Sequence, residues 1–153
     1  MQTFLPYSDF TKSAETLDKK RCWKQVVEAK QIIDVLELKQ KVQIATYGYA
    51  SIDKTIPWSN HPAVKMWVGY TNTLKHYFNI FLEVCIEKHN INTKYIYLES
   101  TFSWPNNENC TDLWVDRYQP YYNLPWWLGN EDFHRAMRAR LIEKDREFYL
   151  PLF

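Results

Sequence analysis

Apolar positions recur with a helical period over three long stretches of the chain. The first runs through Cys22, Val26, Ala29, Ile33 and Leu36 and predicts a helix from Leu17 or Asp18 to about Leu38. The second is marked by Trp67, Tyr70, Leu74, Tyr77, Phe78, Phe81, Leu82 and Cys85. Asn60 or His61 can cap it, and Pro62 suits the first helical position. One helix is therefore predicted from there to about Lys88, on the order of 40 Å long at 1.5 Å per residue. The third is capped by Asn130 and runs to about Lys144, with Phe133, Met137 and Leu141 as its buried edge. A short helix capped by Ser8 or Asp9 and reaching about Thr16 precedes them.

The remaining segments lack that period. Gln2 to Tyr7 reads as extended. Residues 39–60 are mixed and end in the loop Ile56 to Asn60. Tyr95 to Leu98 has the composition of a short strand, Pro105 to Asn109 that of a turn, and Pro120 to Pro125 is aromatic and irregular. The tail, Phe148 to Phe153, is apolar enough to dock back. The fold class is mainly α: a compact single domain spanning residues 1–153, with three principal helices and an irregular aromatic-rich segment.

Composition narrows the function. At 153 residues with 46% hydrophobic and 24% charged, the chain can build one core and is not disordered. A net charge of +1 excludes a polycation but not a local basic patch. With 3 Gly, no glycine-rich phosphate loop is available. No run approaches the roughly 18 apolar residues of a membrane helix, and the first residues do not form a signal peptide, so no membrane association is expected. Cys22, Cys85 and Cys110 are scattered, and neither CxxC nor HExxH occurs. No metal site and no cofactor are expected, and the compartment reads as reducing, cytoplasmic or nuclear. No Ser/His/Asp or Cys/His spacing stands out. His76 and His89 read as exposed helix positions, and Cys22 as core.

Three constellations carry possible chemistry. Arg21, Lys24 and Glu28 share the polar stripe of the first long helix, and with Lys19 and Lys20 make a basic cluster around one carboxylate. The plain alternative is a solvated stripe with a weak Lys24–Glu28 pair. On the last helix, His134, Arg135 and Arg138 are neighbours, and planar guanidinium groups suit phosphate. Cations in the C-terminal half of a helix also simply complement its dipole. Trp58, Trp104, Trp114, Tyr121, Tyr122, Trp126 and Trp127 can stack on bases or pin loops. His61, at a helix start, can contact phosphate or only cap.

Certain runs are more specific: Met1 to Tyr7; Leu17-Asp18-Lys19-Lys20-Arg21 with Lys24-Gln25 and Glu28; Asn60-His61-Pro62-Ala63-Val64-Lys65-Met66-Trp67 with Gly69-Tyr70; and Pro125 to Arg135 with Pro151-Leu152-Phe153. Over the first 90 residues and the last 30, the chain resembles a small-protein branch of the pyrimidine-dimer DNA glycosylases of the phage endonuclease V type. Residues 91–124 are atypical of it.

The resemblance implies a compact, mainly helical DNA glycosylase with associated AP-lyase activity. The N-terminal amine attacks the sugar C1′ of a damaged or modified pyrimidine nucleotide, forms an imine, and β-elimination cuts the strand. A glutamate on the first long helix stabilises the cationic sugar. An α-amine ordinarily titrates near 7.7–8.0, against about 10.4 for lysine, so a useful fraction is nucleophilic at neutral pH. The phage-type enzymes expose a small residue after methionine removal. Gln2 is large, so here the amine belongs to Met1. Glu28 is the matching carboxylate, although a one-residue shift of the helix would put Val27 there. The implied DNA contacts are Arg21, Lys24, His61, Lys65, His134, Arg135 and Arg138. The implied partner is double-stranded DNA carrying a lesion or modified base, bound by a monomer. Two other readings fit the same residues: a non-catalytic nucleic-acid-binding module, and an aromatic-lined pocket for a small molecule.

Overall fold

The protein is described from a computed structural model that covers residues 1–45, 56–100 and 124–153. Its elements are α1 (Phe10–Thr16), α2 (Lys19–Ala45), α3 (Pro62–Trp67), α4 (Thr71–Glu87), α5 (Glu131–Lys144), α6 (Arg146–Tyr149) and a closing 3-10 turn at Leu150–Leu152. The fold is mainly helical, and no strand occurs among the described residues.

The pair α2 and α4 forms the centre. Cys22, Val26, Ala29, Ile32, Ile33 and Leu36 of α2 are buried, as are Leu74, Tyr77, Phe78, Phe81, Leu82 and Cys85 of α4. Burying each large apolar side chain contributes about 1.5–3 kcal/mol. The Tyr77 and Phe81 rings stack at 4.0 Å, and Phe10 of α1 meets Tyr77 edge-on at 5.5 Å. The Cys22 and Cys85 thiols meet at 3.3 Å within this core.

Caps decide the helix starts. Asp9 accepts from the Lys12 N–H and His61 Nδ1 from the Ala63 N–H, while Asn130 accepts from Asp132 and Phe133. The first long helix continues well past Leu38, through Ala45. Residues 39–45 are mostly good helix formers.

Three expectations are corrected. The helix anticipated from residue 60 to 88 is two helices, α3 and α4. Gly69 sits between them at φ 85°, a left-handed conformation that ends α3 at small cost only for glycine. The apolar period of Trp67, Tyr70 and Leu74 runs through the break and conceals it. Tyr95 to Leu98 forms no strand. Asn79 of α4 takes both backbone groups of Leu98, its Nδ2 donating to the carbonyl and its Oδ1 accepting from the N–H, each at 2.7 Å. That exchange replaces a ladder partner. Neither histidine expected at an exposed helix position is one: His76 is half-buried against Phe10, where burial holds its imidazole below the ordinary range, and His89 lies beyond the end of α4 and is half-buried. The anticipated turn at Pro105 to Asn109, together with Cys110, Trp104, Trp114, Tyr121 and Tyr122, lies outside the described residues.

The tail docks through Tyr149 and Phe153, while Phe148, Leu150 and Leu152 stay exposed. Tyr149 is buried, stacks on Phe153, donates its hydroxyl to Asp18, and accepts from the Asp18 N–H at 3.1 Å. Asp18 precedes α2, so the tail is tied to the start of the helix that carries Glu28.

Candidate active site around the N-terminus

Chain termini ordinarily fray. Here Thr3, Phe4, Leu5 and Pro6 are all buried. The extended segment is held group by group from four helices. Trp67 donates its indole N–H to Thr3 Oγ1 at 3.0 Å. The Phe4 N–H donates to Gln25 Oε1 at 2.7 Å, and the Tyr77 hydroxyl lies 3.0 Å from both the Phe4 carbonyl and Gln25 Oε1. His134 Nδ1 is 2.8 Å from the Leu5 carbonyl, and Arg138 donates to the Pro6 carbonyl at 2.7 Å.

This anchoring ends at Glu28. The Gln2 N–H donates to Glu28 Oε2 at 3.0 Å. The Met1 amine lies 4.0 Å from Oε1, and Lys24 Nζ lies 3.9 Å from the same oxygen. Glu28 is only 8% exposed, and the Met1 side chain 6%. A buried carboxylate therefore faces two cations, one of them the chain terminus. Val27 is not the residue brought to the amine. A carboxylate beside an amine can stabilise positive charge that develops on a group bound between them.

The remaining sequence-derived candidates divide by exposure. Lys24 is 65% exposed at the rim, Lys65 is exposed on α3, and Arg135 is 70% exposed beside Asp132 at 3.7 Å. His61 serves as the α3 cap, with Trp58 at 6.0 Å. Three others are engaged inside the fold. Arg21 donates to Asp18 at 3.2 Å and to the Lys144 carbonyl at 3.4 Å, and lies 3.8 Å from Asp145. Burial alone would lower its guanidinium, but the bond to Asp18 raises it above the ordinary value. His134 is buried, with Nε2 accepting from the Gly129 N–H at 2.9 Å, so Nδ1 carries the proton given to Leu5. Arg138 also donates to Glu131 and lies over the Tyr7 ring at 5.5 Å.

Lys19 and Lys20 do not join Glu28. They line a separate hollow of about 400 Å³ with Trp23 and Ile91. Nine residues at about 100° each carry Lys19 half a turn around α2 from Glu28. Gln25, Tyr77 and Trp67 join the site although nothing in the sequence marks them for it. Their partner is an extended segment with no period of its own, so no spacing announces them. Among the described residues, no group of three or more His, Cys, Asp or Glu is placed to hold a metal ion, and no helix is long and apolar enough to cross a membrane.

The family model described as pyrimidine dimer DNA glycosylase matches residues 1–97. That span holds the anchored segment, Glu28, and α1 to α4, and it leaves α5 with His134 and Arg138 outside. No curated protein and no solved structure matches the chain. A match over more than half of the chain, beginning with the segment that meets Glu28, places it in a family: the chain belongs to the pyrimidine dimer DNA glycosylases.

Proposed function

We propose that the protein is a DNA glycosylase with associated AP-lyase activity, acting on a damaged or modified pyrimidine in duplex DNA through its Met1 amine. The observation that carries this reading is the Met1 amine 4.0 Å from Glu28 Oε1, at the end of a segment whose residues 3–6 are buried and hydrogen-bonded to four helices. A structural terminus needs neither the burial nor the carboxylate.

The amine lone pair attacks C1′ of the target nucleotide. The glycosidic bond breaks and its electron pair leaves with the base. Loss of the amine proton and opening of the sugar ring give an imine between Met1 and C1′. Removal of a C2′ proton then drives β-elimination: the C3′–O bond breaks and the 3′ phosphate departs with its electrons. Water hydrolyses the imine and returns the free amine. Glu28 stabilises the cationic sugar and takes part in the proton transfers. Lys24, Lys65 and Arg135 are the proposed DNA-facing cations, since phosphate contacts need accessible cations, and His61, whose Nδ1 caps α3, is proposed to reach phosphate through its other ring nitrogen. Extruding a nucleotide costs a few kcal/mol, and less at a lesion.

Borohydride trapping on a duplex with an abasic site tests the reading, followed by mass mapping of the linked residue. A crosslink on the Met1 amine is expected. A crosslink on a lysine would keep the lyase class and discard this nucleophile. Tight duplex binding with neither a crosslink nor base release would leave a binding module.

A further inference from the structure

We infer that His134 and Arg138 of α5 are positioning residues: they fix the register of the N-terminal segment, and so hold the Met1 amine at Glu28, without contacting DNA. The inference rests on the amine reading above and assigns a role to a helix that lies outside the matched family span.

The two side chains are four residues apart on one face of α5. They take the carbonyls of consecutive residues, Leu5 and Pro6, at 2.8 and 2.7 Å. An extended strand presents alternate carbonyls to opposite sides. Capturing two in succession, with the Phe4 N–H held by Gln25, leaves the segment one register. A slip of one residue would move the amine by about 3.3–3.6 Å. That is comparable with its whole separation from Glu28 Oε1, 4.0 Å. Upstream of Thr3, the terminus is held by the Gln2 N–H bond, that ion pair and a Gln2 Nε2 contact to Met137 Sδ of α5 at 4.0 Å, so its position depends on the anchors behind it and on α5.

Both residues are poorly placed to bind phosphate. The His134 ring is buried, and each of its nitrogens is committed to backbone. The Arg138 side chain is 17% exposed, its charge is met by Glu131, and its plane lies over Tyr7. Removing a group that positions a reacting atom costs up to about 100-fold for a displacement near 1 Å.

The test compares imine formation with duplex binding in the full chain. Trapping is measured in single turnover on an abasic-site duplex, and affinity on a duplex carrying the tetrahydrofuran analogue, which cannot form an imine. All variants are assayed below their melting transitions. Arg138→Ala is expected to slow trapping by about 10-fold and His134→Ala by about 100-fold. Affinity and its salt dependence stay at the wild-type values. Arg138→Lys, which can still donate to Pro6, recovers most of the rate. Arg135→Ala should instead lower the salt slope by about one. Leu141→Ala, a core truncation on the same helix, should lower Tm without slowing trapping. Wild-type trapping in Arg138→Ala would overturn the inference. So would a reduced salt slope in that variant, or an equal loss in Leu141→Ala. A wild-type crosslink mapped to a lysine would overturn the amine reading itself and this inference with it.

Discussion

Glu28 accepts the Gln2 N–H on one oxygen and faces Met1 and Lys24 with the other. Replacing the carboxylate by an amide keeps an acceptor for Gln2 but removes the charge that a cationic sugar needs. Glu28→Gln should therefore slow trapping and base release by about 100- to 1,000-fold, the range seen when one electrostatic stabiliser is lost. Its affinity for an abasic-analogue duplex should stay within a few-fold of wild type. Unchanged turnover would remove Glu28 from the mechanism. Cys22 is a contrasting residue. Its hydrogen bond with Cys85 pushes the Cys22 thiol up and the Cys85 thiol down, so it is the complete burial of both side chains that assigns the pair to the core.

At the level of elements, two joints set the shape. Gly69 ends α3 at φ 85° with open space where a Cβ would stand. Gly69→Ala meets no clash, only the left-handed backbone penalty of about 1–2 kcal/mol. At about 2–4 °C per kcal/mol for a chain of this size, a thermal melt should register it. The second joint ties Asp18 to Tyr149 and Arg21. Burial pushes the Asp18 carboxyl up, but the hydrogen bonds from Tyr149 and Arg21 outweigh it and hold the group below the ordinary range. A carboxylate depressed on folding stabilises above its unfolded pKa, about 3.9, and loses that contribution as pH falls through the folded value. Asp18→Asn should melt earlier at neutral pH, with the gap to wild type closing below about pH 4. A constant gap across that range would remove Asp18 as its source. These joints also show what the chain reveals by itself. The faces of α2 and α4 and the Asn130 cap are local and periodic, so they are legible. The α3–α4 break is hidden because its apolar period is unbroken. The Leu98 backbone and the Phe4–Gln25–Tyr77 bonds pair residues 19 to 73 positions apart, and nothing local marks such partners. Lys24 and Glu28 were legible as a pair, but the amine that joins them came from the family resemblance, not from any spacing.

Across the whole molecule, helices from both ends of the chain converge on its first six residues. Trp67 of α3, Gln25 of α2, Tyr77 of α4, and His134 and Arg138 of α5 all bond to residues 3–6. Core packing alone would be served by any apolar segment in that groove. The capture of the backbones of Phe4, Leu5 and Pro6, with Thr3 held by its hydroxyl, makes sense if the position of the terminus matters. That distinction can be tested by lengthening the chain. A Gly-Ser dipeptide placed before Met1 converts its amine to an amide and moves the new amine by up to about 7 Å. Residues 3–6 keep their partners, so the fold and the exposed cations should be retained. The extended protein should bind an abasic-analogue duplex within a few-fold of the native chain, yet lose borohydride trapping by about 1,000-fold, a loss that the proximity of the reacting atoms accounts for. Proteolytic removal of the extension, leaving Met1 first, should restore trapping. If the extended chain traps at the native rate, the nucleophile is a lysine, and the anchored terminus serves stability alone.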